Sequence, residues 1–122
     1  MLFSSINKRN TILHIHLYLK FENLFLSDKM IFKIGDFDLA TKLDYDGEEK
    51  HIICGTYNYV SPETLEGKYL YEIDIRAVGI IMYALLIGKF PFEYKDIKKT
   101  KINIRAYDYT FPEDAKISYH AK

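Results

Sequence analysis

The stretch from Leu13 to Asp38 reads LHIHLYLKFENLFLSDKMIFKIGDFD. It opens with an alternation, Leu13, Ile15, Leu17, Leu19 and Phe21 against His14, His16, Tyr18, Lys20 and Glu22. By periodicity alone that is a half-buried strand. Leu24-Phe25-Leu26 and Ile31-Phe32-Lys33-Ile34 then flank the turn-forming Ser27-Asp28-Lys29, which predicts a β-hairpin. From Gly35 to Glu66 the chain is polar and acidic, then rich in Gly, Thr, Asn, Tyr and Pro, with no period of either kind. A structureless stretch of that length points to a functional loop or to a misread pattern. Further on, Ala77 to Ile87 is an apolar run that reads as a buried helix, with Asp74 able to cap its start and Gly88 and Pro91 to end it. Ile97, Lys101 and Ile104 fall at helical spacing in a second, basic helix from about Tyr94 to Arg105.

The surrounding composition sets bounds. The 122 residues are room for one domain, and 48% apolar content allows a core. Lys plus Arg (17) cancel Asp plus Glu (17), so the chain as a whole has no pull on nucleic acid or an anionic membrane. A single cysteine, Cys54, excludes an internal disulfide framework and fits a reducing compartment. The apolar start Met1 to Ile6 runs at once into Asn7-Lys8-Arg9-Asn10, unlike a signal peptide. The longest apolar run falls well short of the ~20 residues of a bilayer span. A soluble intracellular protein is expected.

Several residues carry chemistry by their spacing. His16-x-x-Leu19-x-x-x-Asn23 is followed by Asp36-Phe37 at the end of a predicted strand, then Cys54-Gly55-Thr56, Ser61-Pro62-Glu63, and Asp74 at the start of the apolar helix. Order and spacing agree with the protein-kinase set of catalytic loop, Asp-Phe-Gly and Ala-Pro-Glu. The stretches from Asn23 to Leu26, Lys33 to Lys42, Tyr45 to Glu48, Cys54 to Tyr59, Ile81 to Lys89 and Pro91 to Glu93 resemble the polo-like serine/threonine kinases. That resemblance runs from about Ile15 to Pro112.

The resemblance implies an α+β fold. It is part of a kinase-like large lobe, mainly helical, with a short β-hairpin and a long activation segment. The whole chain is one partial kinase domain, with a catalytic-loop remnant over about 16–23 and an activation segment over about 36–63. A central helix follows at about 74–88 and a surface helix at about 94–105. No small lobe and no polo box are expected within it. ATP and Mg²⁺ are the implied cofactors, with Asn23 and Asp36 as the metal and nucleotide ligands. Lys20 takes the place of the lysine near the transferred phosphate, and Thr56 that of a substrate-loop hydroxyl.

The chain also departs from the family's pattern. The catalytic Asp falls at Tyr18, and a phenol, ordinarily titrating near pH ~10, is a poor general base at neutral pH. The preceding Arg falls at Leu17 and the activation-loop phosphosite at Ile52, so that charge pair is lost at both ends. The Gly of Asp-Phe-Gly is Asp38, the Pro after Gly-Thr is Tyr57, and the Trp of the helix motif is Arg76. Glu63 lacks the arginine it pairs with in the family, so its carboxylate must be solvated or find another partner. With no Gly-rich loop or nucleotide-anchoring lysine in the sequence, ATP and Mg²⁺ are not expected to bind this chain alone.

Blander readings stand beside these. His14 and His16 as metal ligands lack a third partner. Cys54 has no His partner and reads as a small packed residue. The run Lys95, Lys98, Lys99, Lys101, Arg105 reads as the solvated face of a helix, and Asp44, Asp46, Glu48 and Glu49 as a solvated acidic loop. The reading reached is a truncated polo-like serine/threonine kinase domain, inactive on its own. The alternatives are a fragment of a longer ATP-dependent kinase, or a non-catalytic interaction module. Partners are expected to be the protein partners of an active relative, not nucleic acid or membrane.

Overall fold

The computed structural model describes residues 13–43, 57–67, 72–118 and 120. Among the described residues, four short strands, β1 (Leu13–Ile15), β2 (Leu24–Leu26), β3 (Phe32–Ile34) and β4 (Thr41–Leu43), precede three helices. These are α1 (Pro62–Leu65), α2 (Glu72–Ile87) and α3 (Ile97–Ala106). The strands form two antiparallel pairs, β1 with β4 and β2 with β3.

The expected hairpin is present, with Leu24 opposite Ile34 and Leu26 opposite Phe32. Its turn is closed by the Met30 amide on the Ser27 carbonyl at 2.8 Å and the Ile31 amide on Ser27 Oγ at 3.2 Å. The alternation from Leu13 to Glu22 does not make one strand. β1 stops at Ile15, Leu17 adopts φ 65°, and Phe21–Asn23 forms a 3-10 turn. An L-residue in the left-handed region costs ~1–2 kcal/mol, so something outside the segment must impose it.

The stretch between Gly35 and Glu66 is not structureless either. Thr41–Leu43 pairs with β1, with Leu13 opposite Leu43, and Tyr57–Tyr59 is a 3-10 turn. α1 is capped by Ser61 Oγ, which accepts the Thr64 amide at 3.1 Å, and Pro62 opens it. Ser61-Pro62-Glu63 is a helix-start signature that periodicity passes over because the helix is one turn long.

α2 begins two residues earlier than expected, which puts Asp74 inside its first turn instead of at the cap. Gly88 ends it at φ 81°, its amide bonding the Ala84 carbonyl at 2.8 Å. α3 starts at Ile97 behind Asp96, whose carboxylate caps the Lys98 amide. Ile104 is fully buried while Ile97 is exposed, so α3 seats on Thr100, Asn103 and Ile104, not on an Ile97 stripe.

The main core gathers on α2. Ala77, Ile80 and Ile81 pack with Leu19, Tyr59, Phe92 and Ile104, and Phe21, Leu24 and Ile34 lean against them. Each fully buried aliphatic side chain contributes ~1.5–3 kcal/mol. This core fixes the Leu19–Ile34 region against the helix. A second cluster, Ile15, Leu17 and Leu43 with Ile73 beside it, clamps β1 and β4 over the start of α2. Tyr83 of α2 is buried against Tyr109 and Phe111, while Ile75, Val78, Met82, Leu85 and Leu86 of α2 are exposed, as are Phe25, Met30, Ile31 and Phe32 of the hairpin.

Candidate functional site: a catalytic-loop arrangement

The loop after β1 is held from α2. The Asp74 carboxylate accepts the His16 amide at 2.6 Å on Oδ2 and the Leu17 amide at 3.1 Å on Oδ1. Two charge-assisted bonds to successive amides bend the chain there, and they supply the energy that holds Leu17 at positive φ. Leu17 is only 5% exposed, because the side chain turns into the Ile15–Leu43 cluster.

His16 ties the loop to the segment after β3. Its Nε2 lies 3.0 Å from the Gly35 carbonyl, so that nitrogen carries the proton, and the ring meets Phe37 edge-on at 4.8 Å. His14 is exposed while His16 is buried, so the two imidazoles do not share a site. Among the described residues no group of three His, Cys, Asp or Glu side chains is placed to hold a metal ion.

Asn23 is buried and its Nδ2 donates to the Tyr18 carbonyl at 2.9 Å, closing the loop on itself. Its own carbonyl accepts the Gly35 amide at 2.9 Å, which sets the backbone that presents Asp36. Asp36 is exposed and sits at φ 60°. Gly35 lies close beneath the exposed Phe25 ring: a Cβ there would lie 2.7 Å from it. Asn23 Oδ1 takes no part in the Tyr18 bond, and that oxygen and the Asp36 carboxylate are donors of the kind a hard cation takes. That donor chemistry fits Mg²⁺.

Tyr18 stands in the middle of the loop, half-buried, with the Lys20 ammonium 3.8 Å from its ring centroid. Hydrogen bonding to Tyr18 raises the Lys20 pKa, with smaller contributions from the charges of Glu22 and Asp36. Lys20 is therefore a fixed cation. The Phe21 amide donates to the Tyr59 hydroxyl at 3.2 Å, which links the loop to the 57–59 turn. Sequence reasoning placed Tyr18, Lys20, Asn23 and Asp36 near one another but gave no role to Tyr59. Thr56 lies outside the described residues, as do Ile52, Cys54 and the acidic run at 44–49.

A loop pinned by a helix carboxylate, a His–Phe contact behind an exposed Asp, and an Asn closing the loop form the framework of a protein kinase. The protein kinase domain model matches residues 8–122, and the chain belongs to that family. Its relatives are polo-like serine/threonine kinases. It is 52% identical over 100 residues to the serine/threonine-protein kinase PLK1 of Xenopus laevis, covering 81% of this chain and 17% of that one. The serine/threonine-protein kinase polo of Drosophila melanogaster is 48% identical over 99 residues, 80% of this chain and 17% of the relative. The cell cycle serine/threonine-protein kinase CDC5/MSD2 of Saccharomyces cerevisiae is 44% identical over 111 residues, 88% and 16%. The chain thus spans under a fifth of each of these proteins. Among the described residues no helix is long and apolar enough to cross a membrane.

Proposed function

We propose that this chain is a segment of a polo-like kinase large lobe, with its catalytic loop at 16–23 and activation segment at 36–63, and that it does not transfer phosphate on its own. The observation that carries the reading is Tyr18. It occupies the base position, and its ring lies against the ammonium of Lys20. A phenol is a poor acceptor for a substrate hydroxyl proton, and the ring competes with phosphate for the lysine. Asn23 and Asp36 would hold Mg²⁺, which when bound neutralises charge on the phosphate oxygens of ATP. Asn23 is already pinned through Nδ2, so its Oδ1 is preorganised for such a ligand. Thr56 takes the place of the substrate-loop hydroxyl.

The test is direct. Purified protein incubated with labelled ATP, Mg²⁺ and casein is expected to transfer no label above a protein-free control. Turnover abolished by Asp36→Asn would overturn the reading. A second reading, that the segment belongs to a longer serine/threonine kinase, is favoured by its covering under a fifth of its relatives. A Gly-x-Gly-x-x-Gly segment and a Val-Ala-x-Lys strand encoded upstream in frame would support it, and stop codons there would refute it. In either case the role left to this segment without a base is binding, to protein partners shared with an active relative. Competition with such a relative for a partner in a co-precipitation tests that role.

A further inference from the structure

α3 carries Lys98, Lys99, Lys101 and Arg105 and no acidic residue. Lys98 and Lys99 stand in its first turn, where the aligned amides leave partial positive charge and cations are disfavoured. Asp96 answers this only in part, its Oδ1 accepting the Lys98 amide at 2.9 Å. Lys98 and Lys101 are three residues apart, and Lys101 and Arg105 four, spacings at which like charges on a helix repel. Among the described residues none of the four cations is in an ion pair with a carboxylate.

The cations share one side of the helix. Thr100, Asn103 and Ile104 are its buried side. Opposite them runs the row Lys98, Ile102 and Arg105, at i, i+4 and i+7, all three exposed. Lys99 and Lys101 stand on the two shoulders of that row. Their Nζ atoms lie 4.4 Å from the Tyr94 ring centroid and 5.0 Å from that of Tyr57. Ile102, 62% exposed, is thus an apolar side chain set among cations. A face that is only solvated gains nothing from this pattern, since acids mixed among the lysines would stabilise the same helix. A partner of opposite charge does gain from it.

We infer that this face of α3 is a docking surface for an acidic segment of a partner protein, with carboxylates set against Lys98, Lys99, Lys101 and Arg105 and one apolar side chain against Ile102. Charge complementarity selects that occupant. Bound carboxylates relieve the repulsion among the cations and meet the end of the helix that favours anions. An extended array of phosphates is a poorer fit. Exposed Glu93, Asp96 and Asp108 bound the run on both sides in sequence and repel it, and the chain as a whole carries no net charge. The surface includes no residue of the catalytic loop. It deepens the binding role proposed above and does not depend on the loss of phosphotransfer. Label transfer in the kinase assay overturns that loss and leaves this surface standing, and a failure of the surface leaves the reading of Tyr18 standing.

The probe is a fluorescein-labelled peptide of Glu and Ala with one central Leu, titrated against the whole chain by fluorescence anisotropy. Saturable binding is expected, weakening as salt rises, and the same peptide with Gln for every Glu is expected not to bind. Lys98→Glu combined with Arg105→Glu is expected to weaken binding by about tenfold or more, and Ile102→Ser by roughly threefold. The reversal at Lys98 suits the helix dipole, so its urea midpoint is expected to hold or rise while binding falls. No binding up to about 1 mM peptide, equal binding of the Gln peptide, or unchanged binding by the folded reversal variant overturns the inference. Preference for phosphatidylserine vesicles or a single-stranded oligonucleotide over the peptide overturns it as well, and unchanged binding by Ile102→Ser overturns the apolar contact. If the reversal variant does not fold, Lys98→Gln combined with Arg105→Gln decides, and unchanged binding there overturns the inference.

Discussion

Asp74 is the residue on which the loop geometry rests, and its removal has a magnitude that follows from two bonds. Its carboxylate accepts the His16 and Leu17 amides at 2.6 and 3.1 Å. Hydrogen bonds to a charged group contribute ~1.5–3 kcal/mol each, and a buried amide left unsatisfied costs a further ~1–3 kcal/mol. Asp74→Ala removes both bonds while Leu17, at φ 65°, keeps its strain of ~1–2 kcal/mol with nothing to offset it. A loss of at least ~3 kcal/mol is expected, against a total domain stability of ~5–15 kcal/mol. Asp74→Asn is the graded companion. Its Oδ1 serves one amide, while its NH₂ faces the other donor, so about half the loss or somewhat more is expected. Urea unfolding followed by far-ultraviolet circular dichroism gives both values, and hydrogen exchange at the His16 and Leu17 amides localises them. If both variants lie within ~0.5 kcal/mol of the native chain, or if exchange at those amides is unchanged, the carboxylate is not what bends the loop.

Other outcomes follow from packing and titration. Leu43→Ala empties the centre of the β1–β4 cluster, where Leu43 is 1% exposed, and is expected to cost ~2–5 kcal/mol in urea unfolding. Phe32→Ala, at a position 62% exposed, is expected to change the midpoint little. Gly35→Ala places a methyl 2.7 Å from the Phe25 ring. That ring is exposed and free to swing, so the expected result is a shifted Phe25 resonance with a small stability change, and a large loss refutes that freedom. Glu63 titrates below its ordinary value of 4.5 in the folded chain. Its contribution is therefore full above about pH 4.5 and lost as pH falls through the lower folded value. Urea midpoints measured down through that range are expected to fall more steeply in the native chain than in Glu63→Gln.

The hairpin, the apolar helix with its Gly88 stop and the membership in the kinase family were legible in the residues themselves. Each depends on local signals: turn formers between apolar runs, a glycine at positive φ, and motif side chains at fixed spacing. β4 was not legible, because three residues in a polar stretch become a strand only when β1 lies beside them. α1 was missed because one turn has no period, although Ser61-Pro62-Glu63 marked its start. The largest difference lies between Leu13 and Glu22. Alternation made that stretch a strand, while Asp74, far along the chain, drew two of its amides into a bend. Periodicity reports which side chains are apolar, but not which backbone donors a distant carboxylate will capture.

The same division runs through the site. Sequence alone determined which groups are present: Lys20, Asn23 and Asp36 in kinase order, and Tyr18 where a carboxylate is expected, because side-chain identity and spacing are properties of the chain. Only the tertiary structure decided what those groups do to one another. It laid the Tyr18 ring against Lys20, closed Asn23 on the Tyr18 carbonyl, and hung the Val60 carbonyl on Arg76 of α2. Those relations depend on a core gathered on α2 from residues between Leu19 and Ile104. Charge and hydrogen bonding act through distance, and distance between segments is set by packing.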